Sequence, residues 1–154
     1  MNDTLPSATR VLGFDVGERR VGIAVSDALG IAQPLITMGR SSHKEELRNI
    51  ARLVRKHNVN AMVVGHALNM DGTRSAQTEK CEAYAAALHA HFAMPVYLQD
   101  ERLTSDAADA WLDTRGYPRG PERKPLLDRV AAAILLQDWL DAQSRISLHK
   151  NEPV

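Results

Sequence analysis

The stretch VLGFDVGERRVGIAVSD, residues 11–27, constrains the fold more than any other part of the chain. Two β-branched, glycine-containing runs at 11–16 and 21–25 are joined by the polar residues 17–20, which predicts a β-hairpin. All neighbours of Asp15 within the first run are apolar or glycine. A buried carboxylate without a partner costs several kcal/mol. Asp15 is therefore predicted to bind a cation, to pair with another group, or merely to open the hairpin turn.

Hydrophobic periodicity predicts the remaining elements. Short apolar runs predict strands at 35–38, after Pro34, and at 61–65 and 95–98. Helical spacing predicts helices from the capping box at Ser42 to about 57, from about 75, over about 105–114, and over about 126–142. The Arg-, Gly- and Pro-rich segment 115–125 is expected to be a flexible loop. This order predicts an α/β domain with an antiparallel front and βα units behind it.

Composition places the chain among ordinary globular domains. We expect a flexible N-terminus over 1–9, a single domain over 10–144 and a flexible tail over 145–154. Nineteen basic and nineteen acidic residues cancel, so nucleic-acid binding would require a local basic patch. The single cysteine, Cys81, is expected to serve packing in a reducing compartment. No apolar run resembles a secretion signal or a membrane span, which favours the cytoplasm and no membrane contact.

Two further acidic positions accompany Asp15. Asp100 and Glu101 directly follow a strand, where open α/β sheets place their ligands; the alternative is a solvated strand end, with Thr104 or Ser105 capping the next helix. Asp128 lies in the first turn of the last helix, on its alanine-rich face. The helix dipole alone would also favour an acid there. If these carboxylates converge, their hard oxygen ligands suit Mg²⁺ or Mn²⁺.

Four sequence blocks resemble those of one known family. In order, they are FDVGERRVGIAVSD, VVGHALNMDGTRS, DERLTS and LLDRVAAAILLQDWL. Together they resemble the bacterial YqgF/RuvX family, whose members are described as Holliday junction resolvases and as pre-16S rRNA nucleases. The resemblance implies an RNase H-like fold, with a mixed five-stranded sheet flanked by helices. One departure is visible: His66 and Ala67 stand where members usually carry Leu-Pro, which should loosen this loop and affects substrate fit.

The resemblance also implies a cytoplasmic, divalent-metal-dependent nuclease. Its acidic positions fall on Asp15, Glu101 and Asp128 as catalytic residues and metal ligands, with Asp100 as a supporting ligand. Asp15 is expected to bridge two cations, one of which activates the attacking water while the other stabilises the leaving oxygen. The phosphate-binding candidates are the basic residues near these acids: Arg19, Arg20, Arg102, Arg115, Arg119, Arg123, Lys124 and Arg129.

The substrate remains a choice between alternatives. The first is the 5′ end of pre-16S rRNA, processed during ribosome biogenesis. The others are four-way DNA in Holliday junction resolution, and RNA bound by a non-cleaving RNase H-like module. An ATPase of the sugar kinase or actin type is disfavoured, because 154 residues do not supply its second domain. We expect a mainly monomeric protein that forms at most a weak dimer, since no apolar patch indicates the tight symmetric dimer that paired nicks would require.

Overall fold

A computed structural model describes residues 9–151, and the side chains of residues 9–146. The elements are β1 (Val11–Val16), β2 (Arg20–Ser26), β3 (Ala32–Gly39), α1 (His43–His57), β4 (Ala61–His66), α2 (Ala76–Phe92), β5 (Val96–Asp100), α3 (Thr104–Thr114) and α4 (Arg123–Asn151). One mixed sheet has the strand order β3-β2-β1-β4-β5. β1 and β3 run antiparallel to β2, whereas β4 and β5 join parallel to β1. The predicted element order and mixed five-stranded sheet are confirmed.

The two faces of the sheet carry different cores. Large side chains such as Phe14, Ile23 and Met62 face α1 and α2, and Cys81 is fully buried among them, as predicted. The other face is covered by α4, with smaller residues such as Ala24, Ala61 and Ala132 at the contact. α3 packs against the outer side of α4. No helix within residues 9–151 combines the length and apolar character needed to cross a membrane.

Two predicted boundaries are wrong, and both lie next to a proline. β3 begins at Ala32, so Pro34 lies inside it; a register shift between Ile23 and Ala24 accommodates the proline on this edge strand. α4 begins at Arg123, not near 126, since a proline such as Pro125 is tolerated in the first helical turn. α4 also continues past 142 to Asn151. Residues 1–8 and 152–154 lie outside the described residues, so the flexibility expected of both ends stays a prediction.

The start of α3 and the preceding loop also differ from expectation. Neither Thr104 nor Ser105 caps α3; the N-cap is Leu103, with φ of 67° and no side-chain cap hydrogen bond. The left-handed conformation costs a non-glycine residue about 1–2 kcal/mol. The amide of Thr104 then donates to the carbonyl of Glu101 at 3.1 Å. The chain therefore turns sharply just after Glu101.

Candidate active site

Asp15 lies at the centre of one row of residues across the sheet. β2 places Gly22 directly beside it, and Thr37 of β3 follows Gly22. On the other side, the pairing of Phe14 with Val64 continues to Gly65 of β4. Residues paired side by side point to the same face, so Asp15 faces α4 between two glycines. The missing side chains leave room on both sides of the carboxyl group.

Glu101 fills the space above Gly65. A Cβ atom on Gly65 would lie 2.3 Å from Oε2 of Glu101, so the carboxyl group of Glu101 lies against the bare backbone. Glu101 and Asp15 share a side-chain hydrogen bond. Such a bond between two carboxyl groups requires a proton on one of them. Asp15 and Glu101 therefore lie together at this edge of the sheet, and their role as metal ligands stays a prediction.

The pKa values of this pair are raised above the ordinary carboxyl range. Burial is the largest cause for Asp15, where the shared hydrogen bond opposes the rise and the charge of Asp128 adds to it. Burial is also the largest cause for Glu101, followed by the charge of Asp15 and the hydrogen bond between them. The hydrogen bond between the two groups lowers the pKa of Asp15 and raises that of Glu101. Perturbed acids of this kind are concentrated at functional sites.

Asp128 approaches from above Gly22. A Cβ atom on Gly22 would lie 2.0 Å from the carbonyl oxygen of Asp128, so α4 touches the sheet backbone at this point. The hydroxyl of Thr37 donates to the carbonyl of Pro125 and ties the start of α4 to β3. Oδ2 of Asp128 accepts a hydrogen bond from Nε of Arg20 at 2.6 Å. Arg20 thus lies inside the acidic site rather than beside it.

The donor set fits a divalent cation by its chemistry. Three carboxylates from two strands' ends and a helix face the same part of the sheet edge, and hard oxygen ligands suit Mg²⁺ or Mn²⁺. Within residues 9–146, no three acidic, histidine or cysteine side chains are already arranged around one point. The reason is visible in the contacts, since Asp15 and Glu101 bond to each other while Asp128 pairs with Arg20. Ion binding therefore has to compete with these two contacts.

Asp100 is held apart from this cluster. Oδ2 of Asp100 accepts hydrogen bonds from Nε and Nη2 of Arg102 at 2.8 and 2.6 Å. This pairing lowers the pKa of Asp100. Nη1 of Arg102 also donates to the carbonyl of Met70 at 3.2 Å. Arg102 thereby joins the strand end to the loop after β4. The roles predicted for Asp100 as a ligand and Arg102 as a phosphate contact stay predictions.

The remaining basic candidates separate into distinct environments. Arg123 is buried, pairs with Asp109 and Asp113, and donates to the carbonyls of Tyr117 and Pro118. It therefore secures the 115–122 loop, and its prediction as a nucleic-acid contact is wrong because the guanidinium is already enclosed. The other candidates are Arg119, which pairs with Asp113; Arg115, which stacks on Trp111; Arg129, which is partly buried; and Arg19 and Lys124, which are exposed.

His66 connects the loop after β4 to α2. Its Nε2 lies 2.9 Å from Oε2 of Glu82, and Nη2 of Arg74 lies 2.6 Å from Oε1 of the same carboxylate. These hydrogen bonds lower the pKa of Glu82 to about 2, and the bond from Arg74 has the larger effect. The loop that lacks the usual proline is thus restrained by an ion-paired network. These contacts indicate a restrained loop, which differs from the loose loop predicted from the sequence.

Sequence reasoning missed Gly22 and Gly65. Gly13, which lies on the same face of β1 as Asp15, makes a different contact, because a Cβ atom on Gly13 would meet Cβ of Leu136 at 2.8 Å. Gly13 and Gly22 therefore both admit helix α4, Gly22 at the backbone of Asp128, whereas Gly65 admits the carboxyl group of Glu101. The available signal was a glycine inside each strand at the level of Asp15, which indicates close backbone approach.

Known proteins resemble this chain along most of its length. The family model described as RuvX: Holliday junction resolvase matches residues 9–142. A protein of Syntrophus aciditrophicus named "Putative pre-16S rRNA nuclease" is 42% identical over 137 residues, covering 88% of this chain and 91% of that protein. A protein of the same name from Chloroflexus aurantiacus is 42% identical over 144 residues, covering 93% of this chain and 90% of that protein.

Solved structures agree on the fold. The yeast mitochondrial Holliday junction resolvase aligns with a TM-score of 0.56 and 13% identity, covering 96% of this chain and 84% of that one. Thermus thermophilus RuvC in complex with a Holliday junction substrate aligns with a TM-score of 0.51 and 22% identity, covering 88% and 96%. These similarities establish an RNase H-like fold. The family model and the two relatives show that the chain belongs to the RuvX family.

Proposed function

We propose that this protein is a divalent-metal-dependent nuclease that hydrolyses phosphodiester bonds of precursor 16S rRNA. The observation that carries the proposal is the contact between Asp15 and Glu101 at the carboxyl edge of the sheet, with Asp128 beside them. The names of its relatives agree with nuclease activity and favour rRNA as the substrate.

The three acids would hold the metal, and the basic residues would hold the phosphate. Bound Mg²⁺ or Mn²⁺ supplies an activated water and stabilises the leaving oxygen. Asp15, fixed between two glycines, is the central ligand, with Glu101 and Asp128 on either side. Arg20, whose Nε lies 2.6 Å from Oδ2 of Asp128, would exchange this carboxylate for a substrate phosphate. Exposed Arg19 and Lys124 add charge attraction to the backbone of the nucleic acid.

Metal binding is tested first by thermal unfolding. We expect Mg²⁺ or Mn²⁺ to raise the melting temperature of wild type, because a ligand selective for the folded state stabilises it. The increase should shrink in the Asp15→Asn, Asp128→Asn double variant. An equal increase in that variant would show that the ions bind elsewhere.

Substrate choice is tested by cleavage. A pre-16S rRNA fragment with its 5′ leader and a four-way DNA junction are compared with Mg²⁺ and with Mn²⁺, using Asp15→Asn as the control. We expect cleavage of the RNA by wild type alone. Binding of the RNA without cleavage under every condition would favour the non-cleaving alternative.

Junction resolution is the second candidate, because the family description and the structural neighbours both name it. Resolution requires paired nicks, and hence two sites related by symmetry. We predict a monomer in solution, which light scattering at micromolar concentration measures. A tight dimer that nicks opposing junction strands symmetrically would overturn the rRNA proposal in favour of the resolvase.

A further inference from the structure

A cleft separates α1 from α2 on the sheet face opposite Asp15. It has a volume of about 370 Å³, and a second cavity of about 410 Å³ shares Val16, Arg40, Ser41 and Lys80 with it. The two form one trough that begins at the carboxyl end of β1, one residue after Asp15. Cavities of about 300–1,000 Å³ are the usual size of small-molecule sites. The trough is therefore large enough for a ligand of nucleotide size.

The mouth of the cleft is suited to an anion. Lys80 lies there with 60% of its side chain exposed, and its ion pair to Glu18 at 3.6 Å is weak and solvent-screened. Arg40 donates Nε to Glu46 at 2.8 Å and Nη1 to the carbonyl of Gly17 at 2.8 Å. Two of the five guanidinium N–H groups are thus used, which leaves three for a ligand. His43 places the N-terminus of α1 at the same opening, where the helix dipole favours negative charge.

The floor of the cleft combines apolar walls with two hydrogen-bonding groups. Leu47, Ile50 and Leu88 line it and are buried. The Glu46 side chain is only 6% exposed, with its carboxylate paired to Arg40. The hydroxyl of Tyr84 is buried and finds no hydrogen-bond partner in the described part of the chain. A buried polar atom without a partner is costly, and Tyr84 lines the cleft, so a ligand group that reaches this hydroxyl would satisfy it.

We propose that this cleft binds a nucleotide, with its base between the apolar walls and its phosphate at Arg40, Lys80 and the start of α1. The Glu46 carboxylate and the Tyr84 hydroxyl would contact the polar edge of the base. A carboxylate accepts from the amino group of cytosine, where uracil presents a carbonyl. Cytidine nucleotides should therefore bind more tightly than uridine nucleotides. The nucleotide is either a free nucleotide or part of an RNA strand that crosses the sheet edge from Asp15. Only binding of an RNA strand rests on the proposed function.

Titrations with CMP, UMP, inorganic phosphate and a short oligoribonucleotide test the proposal. Chelator in the buffer prevents binding through metal at the acids. Ala87→Leu fills the cleft, and Ala86→Leu, on the exposed side of α2, is its matched control. We expect CMP to bind wild type and Ala86→Leu alike, and Ala87→Leu at least tenfold more weakly. Lys80→Gln should weaken binding severalfold while Lys56→Gln does not, which tests the site with a surface change that leaves the core intact.

The outcomes separate the sources and the alternatives. Weaker oligoribonucleotide binding by Ala87→Leu assigns the cleft to the RNA strand, whereas an effect on CMP alone assigns it to a free nucleotide. Absence of CMP binding, phosphate binding as tight as CMP, or equal binding by Ala87→Leu and Ala86→Leu would overturn the proposal. Asp15→Asn should bind CMP like wild type, so failure of the nuclease proposal would leave this test unaffected.

Discussion

The two faces of the sheet differ in the size of their side chains, and this difference separates stability from chemistry. Neighbours in β2 show it most directly: Ile23 is fully buried under α1 and α2, whereas Gly22 lies under the backbone of Asp128. Large side chains keep α1 and α2 at a normal packing distance. Glycine and alanine let α4 approach until its backbone touches the strands. The closely packed face is the one that assembles the acids.

Asp15→Asn tests the chemical face with the largest expected effect. Asparagine keeps the shape but loses the charge that would bind the metal, so we expect at least about 10³-fold slower cleavage, corresponding to about 4 kcal/mol of transition-state stabilisation. Single-turnover cleavage of the RNA fragment measures it, and circular dichroism verifies the fold. Near-wild-type cleavage would remove Asp15 from the site.

Gly22→Ala tests whether close approach is what assembles this face. Its Cβ atom would lie 2.0 Å from the carbonyl oxygen of Asp128, so α4 must move away. We expect about 3 kcal/mol of lost stability and, because misplacement by about 1 Å costs about 10²-fold, a comparable loss of rate. Denaturant unfolding and cleavage rates measure both effects. Gly39→Ala is the control, since no atom among the described residues lies within 4 Å of its new Cβ.

Ile23→Ala tests the opposite face. Removing a fully buried isoleucine leaves a cavity and should cost about 2–5 kcal/mol of the free energy of unfolding. The acids do not depend on this side chain, so the cleavage rate of the folded fraction should be unchanged at a temperature where the variant is folded. A rate loss as large as that of Gly22→Ala would contradict the division between the faces.

The acidic pair predicts a smaller, pH-dependent effect. Because the pKa values of Asp15 and Glu101 are raised, the folded state binds more protons than the unfolded state. The stability that these groups contribute is present at low pH and is lost as the pH rises above their ordinary range near 4. In chelator, Asp15→Asn should therefore gain stability over wild type by about 1–2 kcal/mol between pH 5 and pH 8. A difference independent of pH would show that the two carboxyl groups do not interact.

Much of the site was predictable from sequence because its signals are local. The isolated acid in an apolar strand, the acid Glu101 after a strand end and the acid on an alanine-rich helix face all identified residues that the fold brings together, whereas Asp100 pairs with Arg102. The role of Arg123 was not predictable: in sequence it looks like its exposed neighbour Lys124. Only the tertiary structure supplies the groups that enclose it: α3 provides the carboxylates of Asp109 and Asp113, and the loop between α3 and α4 provides the carbonyls.

The sequence by itself determined the order of strands and helices, the hairpin, and the three acids, because hydrophobic period and isolated polar residues are properties of short segments. The tertiary structure decided which glycine accommodates which partner, where α3 and α4 begin, and that Arg20 pairs with Asp128. These features depend on contacts between residues distant in sequence, whose distances are set by how closely α4 packs on the sheet. Gly22 and Asp128 are 106 positions apart in the chain, yet their backbones touch.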